Sequence, residues 1–409
     1  MQYPIHIFYG PKLADLLPGD LQQWLQPLMH YTTQQPITGK VAGLDGVLLD
    51  FNVGLRLQIP EGNWQVKIRD GLSGIVFFDD TVSKVCLVSA EKFFVPWEIT
   101  LSLEGRIVFQ HQFSPEGQNI YCRFASGGLG DHIALFPYME AFRRFHDCQV
   151  FCSVAPYLQE LVELYYPEIV CVKEQPPEDI YATYYLAPSF NPLITPEEMR
   201  TVPMEFYGRE LLGLPWAKKR IYTPTKPRQI QAPYVCIAVQ ASNTAKAWLN
   251  PQGWSEVVRH LKNLGYRVLC IDKNREEASH GHIVRIPQEA EDFTGNLPLS
   301  ERVNLLAYAD FFIGLSSGLA WLAWTTDIPV ILIGGIVATW FEFATPYRVI
   351  NRLVCHGCHN DTHIPWPTFE TCPHHKGTPR AYECSKQISA KQVIEVIERI
   401  RAQNGRVAK

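Results

Sequence analysis

The apolar rhythm of the chain changes near residue 115. Upstream of it, short alternating runs such as "GVLLDFNVGLRLQI" (46–59) and "WEITLSLEGRIVFQHQF" (97–113) predict half-buried strands separated by turns. Glu61, Gly62 and Asn63, and again Leu103, Glu104 and Gly105, have the composition of hairpin turns. Residues 1–115 are therefore expected to form a β-rich N-terminal domain, and no chemical motif appears in it. From Asn119 the rhythm becomes strand, turn, helix. "NIYCRFAS" (119–126) predicts a strand, an apolar helix follows through Phe145, and "CQVFCSV", "EIVCV" and "IYATYYLA" predict further strands. Pro137 suits the first turn of a helix, so the main helix is expected to begin near it and to leave Asp131 on the preceding loop.

A polar, proline-containing stretch, "YTPTKPRQIQAP" (222–233), has the character of a linker. A second strand–helix series follows it. "YVCIAVQ", "YRVLCID", "DFFIGL" and "PVILIGG" predict buried parallel strands. Helices are expected at "NPQGWSEVVRHLKNLG" (Asn250 as cap, Pro251 at the first position, Gly265 as stop), "SERVNLLAYA" and "SGLAWLAWTT". Two such arrays predict an α/β protein with twin Rossmann-like domains, 116–228 and 229–345, facing each other across a cleft. A cysteine-rich segment at 346–387 and a terminal helix at 388–409 complete the chain. In that helix Ser389 and Gln392 form a capping box, and Val393, Ile397 and Ile400 share one stripe.

Composition narrows the function. A chain of 409 residues, 46% hydrophobic, can bury large cores without staples. The formal net charge of −4 argues against a nucleic-acid surface. The most apolar stretch, 311–343, is broken by "TTDIP" and by two glycines, so its pieces are too short to span a bilayer and are expected at the heart of a parallel sheet. The start, "MQYPIHIFYG", has no signal-peptide pattern. Eleven cysteines, mostly scattered singly, fit a reducing cytoplasm rather than a disulfide framework.

Ligands of open α/β sheets bind beyond the strands' C-terminal ends, which directs attention to three loops. The first, "SGGLGDHIALFPY" (126–138), places Gly128 and Gly130 around a lone Asp131. Its plain reading is a tight strand-to-helix turn capped by the acid; its sharper reading is a catalytic carboxylate on the floor of a cleft. The second, "ASNTAKAWLNP", carries Ser242, Thr244, Lys246 and Trp248. In the third, "SSGLAWLAW", Ser316, Ser317, Gly318 and Leu319 open a helix whose N–H groups suit a phosphate. Lys246 beside that helix start would make a diphosphate cradle. No Asp-x-Asp occurs, so a carboxylate-held divalent ion at the phosphates is not expected. The leaving group would be stabilised by preorganised cation and amide donors. Asp131 would deprotonate an acceptor hydroxyl, giving a single displacement with inversion.

Cys355 and Cys358 form a Cys-x2-Cys knuckle, with Cys372 and Cys384 downstream; four thiolates so arranged give a closed tetrahedral site for zinc or iron. His356, His359, His363, His374 and His375 lie between them, which leaves a mixed Cys/His set open. The site is assigned structure, not chemistry.

The segments "GGLGDHIALFPYMEAFRR", "SNTAKAWLNPQGWSEVV" and "GLSSGLAWLAW" resemble the three substrate loops of the ADP-heptose transferases of lipopolysaccharide synthesis, which have a GT-B fold. Together with the β-rich front and the cysteine finger, the chain resembles the bacterial autotransporter heptosyltransferases over nearly its whole length. The resemblance implies an inverting, divalent-metal-independent enzyme that moves heptose from ADP-glycero-manno-heptose to Ser or Thr hydroxyls of autotransporter adhesins in the cytoplasm. It further implies Asp131 as base, and Lys246 with Ser242 and Thr244 on the phosphates. The amides of Ser317, Gly318 and Leu319 would bind the diphosphate. One structural iron per chain on Cys355, Cys358, Cys372 and Cys384 is implied, as is assembly into a dodecamer. Two departures stand out: the lipopolysaccharide enzymes usually have an acid where Ser316 stands and a His where Trp321 stands. A lipopolysaccharide-core acceptor, or a non-catalytic nucleotide-sugar-binding module, are the rival readings. Trp248 and Trp321 either line the pocket or fill core, Trp324 is expected in core, His132 either touches substrate or caps a helix, and Asp272 either meets a ribose or is solvated.

Overall fold

The computed structural model of the chain describes residues 6–13, 35–89, 94–124, 128–173, 175–186, 198–279, 282–365 and 371–407. The front of the chain is β-rich, with β1 (Ile7–Gly10), β2 (Leu48–Asn52), β3 (Leu55–Ile59), β4 (Trp64–Asp70), β5 (Val76–Val82), β6 (Val85–Ser89), β7 (Trp97–Leu103) and β8 (Arg106–Gln112). These strands divide between two sheets. The order β5-β4-β7-β8 makes an antiparallel four-stranded sheet in which β4 alternates buried and more exposed positions, as a one-sided sheet requires. Its β7–β8 hairpin turns through Glu104 (φ 50°) and Gly105 (φ 78°), with Leu103 opposite Arg106, the two-residue turn that matches strand twist. Glu61, Gly62 and Asn63 do not close a hairpin. They carry the chain from β3, which pairs with β6, in one sheet to β4, which pairs with β7, in the other.

The remaining front strands run straight into the first parallel array. That array comprises β9 (Asn119–Arg123), α1 (Leu129–His146), β10 (Gln149–Ser153), α2 (Pro156–Tyr165), β11 (Ile169–Cys171) and β12 (Ile180–Tyr185), followed by α3 (Tyr207–Leu212). One eight-stranded sheet has the order β1-β6-β3-β2-β12-β9-β10-β11, antiparallel up to β2 and parallel from β2 onward. The junction pairs Phe51 with Ala182 and Asn52 with Thr183. Residue 115 therefore marks a change of connection within a shared sheet, not a gap between sheets.

The second lobe holds β13 (Tyr234–Ile237), α4 (Gly253–Asn263), β14 (Arg267–Cys270), a hairpin of β15 (Glu276–Ser279) and β16 (His282–Arg285), β17 (Glu291–Asp292), α5 (Leu299–Leu306), β18 (Phe312–Leu315), α6 (Gly318–Thr325), β19 (Val330–Ile333) and β20 (Arg348–Val349). Its six strands, β17-β14-β13-β18-β19-β20, are all parallel. Every residue of β13, β18 and β19 is buried, as strands covered by helices on both faces demand. The apolar stretch 311–343 is that sheet's centre, and no helix among the described residues is long and apolar enough to cross a membrane. Short α7 (Glu383–Lys386) and the terminal α8 (Ala390–Val407) follow. The Ser389–Gln392 capping box is present, with Gln392 Oε1 accepting from the Ser389 N–H at 2.8 Å, and Val393, Ile397 and Ile400 are fully buried.

Two helix starts differ from expectation. α1 begins at Leu129, and Pro137 lies inside it. The Gly128 N–H donates to Asp131 Oδ2 at 2.6 Å, so the acid caps from the third helical position and starts the helix itself. The helical bond that proline removes costs about 3 kcal/mol. Burial of Phe136, Tyr138, Met139 and Phe142 along the same helix offsets it. α4 begins at Gly253 because Asn250 Oδ1 accepts from Gln252 N at 3.1 Å, closing a turn of its own ahead of the helix.

Candidate active site

Asp131 stands in the first turn of α1, half-buried, not on a free loop. Residues 125–127, including Ser126 and Gly127 of the glycine stretch, lie outside the described residues. The N-terminus of α1 abuts that of α6. A Cβ added to Gly318 would lie 2.5 Å from Leu129 Cβ, and one on Gly130 would lie 2.6 Å from Trp321 Cδ1. Both glycines are thus needed for close approach, since Trp321 is buried and braced edge-on by Phe343 at 5.0 Å and Trp324 at 5.5 Å. Gly130→Ala is expected to cost about 1–3 kcal/mol of stability through overpacking, read as a lowered thermal midpoint.

At this junction Ser317 is the N-cap of α6, yet its side chain makes no cap bond. Its Oγ is buried without a hydrogen-bond partner among the described residues. A buried hydroxyl left unpaired beside the amides of Gly318 and Leu319 calls for an external acceptor or donor, which a phosphate oxygen supplies. Ser316 points elsewhere: its Oγ donates to buried Glu342 Oε1 at 2.7 Å, while Arg348 Nη1 holds Glu342 Oε2 at 3.1 Å.

Thr244–Lys246 form a single 3-10 turn after β13, capped by Asn243, whose Oδ1 accepts from Ala245 N at 3.1 Å. Thr244 is buried and Ser242 exposed. Burial pushes the Lys246 ammonium down from its ordinary value, and the carboxylates of Glu342 and Asp131 oppose the shift. Lys246 therefore lies within electrostatic reach of Asp131, although 115 residues separate them in sequence (246 − 131). Burial, then the charges of Lys246 and Arg200, push His359 down to about 3, so its imidazole is neutral.

The cysteine segment packs beneath this loop. Ser385 Oγ donates to the Ala247 carbonyl and accepts from Leu249 N at 2.8 Å, clamping the backbone on both sides of Trp248. Gly335 is pressed so close that a Cβ there would lie 2.7 Å from Cys384 Cβ. From the other lobe, Arg200 donates to the carbonyls of Asp361 at 3.0 Å and Ile364 at 2.7 Å. The segment thus ties both lobes to the Lys246 loop.

All eleven cysteines are free thiols. Burial, then its neighbours Cys355 and Cys372, push the Cys358 thiol up to about 11. Cys384 is pushed up to about 12 by burial, then by Cys358, Cys355 and Cys372. Each of these thiols bears electrostatically on the others, and a cation replacing their protons would remove that mutual cost, so their chemistry suits a thiolate-bound metal. Among the described residues, the ligand atoms gathered within 4.8 Å of one another are those of Cys355, His375 and Glu383, so the structure keeps Cys355 of the expected four and sets a histidine and a carboxylate beside it. Arg380 holds Glu383 at 2.6 Å. Residues 366–370 of this segment are outside the described residues.

Some expected contacts are corrected. Trp248 does not line a pocket: its ring is buried in the second lobe's core against Trp254, and its Nε1 donates to the Ile388 carbonyl at 2.9 Å. Asp272 is neither solvated nor open to a ribose; it is buried and accepts from the backbone N–H groups of Val239 and Gln240. Burial pushes its carboxyl up to about 6. Trp324 is only partly buried, stacked on Phe343 with Lys219 above its face at 4.6 Å. Sequence reasoning missed Glu342 and Ser385. Neither sits in a loop of distinctive spacing; the missing acid at position 316 was the one available hint of Glu342.

Residues 43–105 match the family of the glycosyltransferase TibC N-terminal domain, and residues 210–356 match glycosyltransferase family 9 (heptosyltransferase). The autotransporter heptosyltransferase BAHTCr of Citrobacter rodentium is 40% identical over 88% of this chain and 90% of its own. This chain belongs to the autotransporter heptosyltransferase family. TibC of enterotoxigenic Escherichia coli H10407, solved as an iron-containing dodecameric glycosyltransferase, superposes with a TM-score of 0.86 at 39% identity, over 90% of this chain and 99% of that one. It has also been solved in complex with ADP-D-β-D-heptose. The family includes an inactive autotransporter heptosyltransferase, BimC of Burkholderia thailandensis, 34% identical over 88% of this chain and 87% of its own. Membership alone thus leaves activity to be argued from the site.

Proposed function

We propose that the chain is an inverting glycosyltransferase of GT-B architecture that moves heptose from ADP-glycero-manno-heptose to Ser or Thr hydroxyls of an autotransporter adhesin in the cytoplasm. The convergence of Asp131, Lys246 and the unpaired Ser317 hydroxyl at one junction carries this reading. The acceptor oxygen attacks the anomeric carbon as the bond from that carbon to the β-phosphate oxygen breaks. The hydroxyl proton passes to the Asp131 carboxylate. ADP leaves with one more negative charge, which the Lys246 ammonium and the amides of Ser317, Gly318 and Leu319 receive. Ser242 and Thr244 complete the phosphate contacts, and Gly128 and Gly130 let the donor and α6 approach α1. Attack opposite the leaving group inverts the anomeric centre. The retained acid and cation favour an enzyme over a nucleotide-sugar-binding module. Heptose transfer to a coexpressed adhesin tests it: each modified hydroxyl should gain the mass of one heptose, and an unmodified adhesin would refute it.

We divide the chain into a β-rich front, whose β1, β2, β3 and β6 extend the first lobe's sheet, two Rossmann-like lobes, a metal finger at 346–387 and a closing helix at 388–409. Cys355, Cys358, Cys372 and Cys384 would hold one structural iron per chain, as the iron in TibC supports; zinc suits the same donors. Bound metal would fix Cys384 and, through the adjacent Ser385 clamp, the Lys246 loop. Cys358→Ser should therefore bring metal per chain from about one to near zero, lower the thermal midpoint and weaken donor binding. Full metal retention would remove Cys358 from the ligand set. Dodecamer assembly follows TibC and is checked by sedimentation of the purified chain.

A further inference from the structure

The first lobe contains a cavity of about 840 Å³ that the donor chemistry above leaves unused. It is lined by the C-terminal ends of β9 and β10, where open α/β sheets place ligands, by the first four residues of β12 and the loop before it, and on its far side by β2. Its volume lies within the range that buries a ligand of several hundred daltons. We propose that this cavity binds the acceptor as an extended, neutral, hydroxyl-bearing polypeptide segment. The inference rests on the transfer reaction proposed above and adds where its acceptor is recognised.

Asn52 supplies the first reason. It is the last residue of β2, 6% exposed, and it lines the cavity. Its Oδ1 is buried without a partner among the described residues, while its Nδ2 reaches Gln35 Oε1 only at 3.5 Å. Turning the amide over would leave a polar atom unpaired instead, so either orientation costs stability in the empty protein. A peptide backbone carries both N–H and C=O and satisfies either. The register places Asn52 beside Thr183 and Thr183 beside Tyr121, a row of three strands about 10 Å across.

His132 supplies the second. It follows Asp131, lines the same cavity, and stacks on Phe124 at 4.9 Å. Its Nδ1 lies 2.9 Å from the Gly128 carbonyl, which only accepts, so the proton is on Nδ1 and Nε2 is an acceptor. The cavity therefore reaches the helical turn that carries the base through His132, while Asp131 itself is not part of its lining.

The charge of the wall supplies the third. Arg56 is buried and forked onto Asp50 at 2.7 and 2.6 Å, and it also donates to the carbonyls of Gln35 at 2.8 Å and Pro36 at 3.2 Å. This pair stiffens the wall with no net charge, and the other two charged residues of the lining, Arg123 and Glu178, are of opposite sign, so the wall as a whole suits a neutral polypeptide better than a phosphorylated sugar acceptor. β2 also lies within residues 43–105, the part shared with the TibC N-terminal domain and outside the matched heptosyltransferase segment. The added front strands thus build the wall that separates this acceptor site from a sugar acceptor's.

The test uses the full chain with its metal, ADP-heptose and an adhesin fragment. Asn52→Leu, near-isosteric, should raise the KM for the fragment about tenfold, as loss of one buried hydrogen bond does. The KM for ADP-heptose and the slow release of ADP in the absence of acceptor should stay unchanged, and the thermal midpoint should hold or rise. Ala155→Trp, which fills the cavity from the start of α2, should raise the acceptor KM as well, and it decides the matter if Asn52→Leu does not fold. Wild-type acceptor KM in a folded Asn52→Leu and in Ala155→Trp would overturn the cavity assignment. A wild-type enzyme that transfers nothing to the adhesin would instead refute the reaction itself, so the two failures are distinguishable.

Discussion

Asp131→Asn is expected to slow heptose transfer by about 10²–10⁴-fold while leaving the affinity for ADP-heptose at neutral pH unchanged. The carboxylate has two tasks in the structure, and this substitution separates them. As a cap, it accepts the Gly128 N–H at 2.6 Å and starts α1. An Asn oxygen can accept the same bond, so α1 and its contact with α6 should persist and the thermal midpoint should hold. As a base, it must take a proton from the acceptor, which an amide cannot do. Asp131→Ala removes both tasks and should be equally inactive but less stable, by about 1 kcal/mol for the lost cap. Titration calorimetry with ADP-heptose, alongside transfer measured by adhesin mass, reads the two effects independently. Normal turnover by Asp131→Asn would exclude this carboxylate as the base.

Much of this site was legible because its parts are local. The buried apolar runs that became β13, β18 and β19, the small residues opening α6, and Lys246 in the turn after β13 each follow from a few adjacent residues. What escaped was long-range. Pro137 suggested a helix start, but packing of the residues around it on the core sustains a helix through it. The front strands looked separate in pattern, yet β2 pairs with β12 because Phe51 and Asn52 continue the rank of Ala182 and Thr183. Trp248 stood in a ligand loop by sequence but is drawn inward by the Ile388 carbonyl, 140 residues downstream. A carboxylate does reach Ser316, but from the segment after β19: Glu342 accepts its hydroxyl at 2.7 Å. No local window contains these pairings.

Lys246→Met should weaken binding of ADP and ADP-heptose by about 10–10²-fold and slow transfer with it, since the lost charge acts on both bound and leaving phosphate. The substitution keeps the length and apolar stem of the side chain, so the packing of the half-buried residue survives. A second signature follows from the titration of this lysine. Burial lowers its proton affinity below the ordinary value of 10.5, with Glu342 and Asp131 pulling the other way. Donor affinity should accordingly fall as pH rises through that lowered value, because the phosphate then meets a neutral amine. Stability runs oppositely: between the folded and unfolded values the unfolded chain binds more protons, so this residue makes stability rise with pH there. Lys246→Met should lose both slopes. Asp131→Asn, which removes one of the two opposing carboxylates, should move the alkaline fall in donor affinity to lower pH. That shift in a variant altered 115 residues away in sequence (246 − 131) would be a direct measure of the two groups sharing one cleft. An alkaline profile indifferent to Asp131, or undiminished ADP affinity in Lys246→Met, would place the phosphate-binding cation elsewhere.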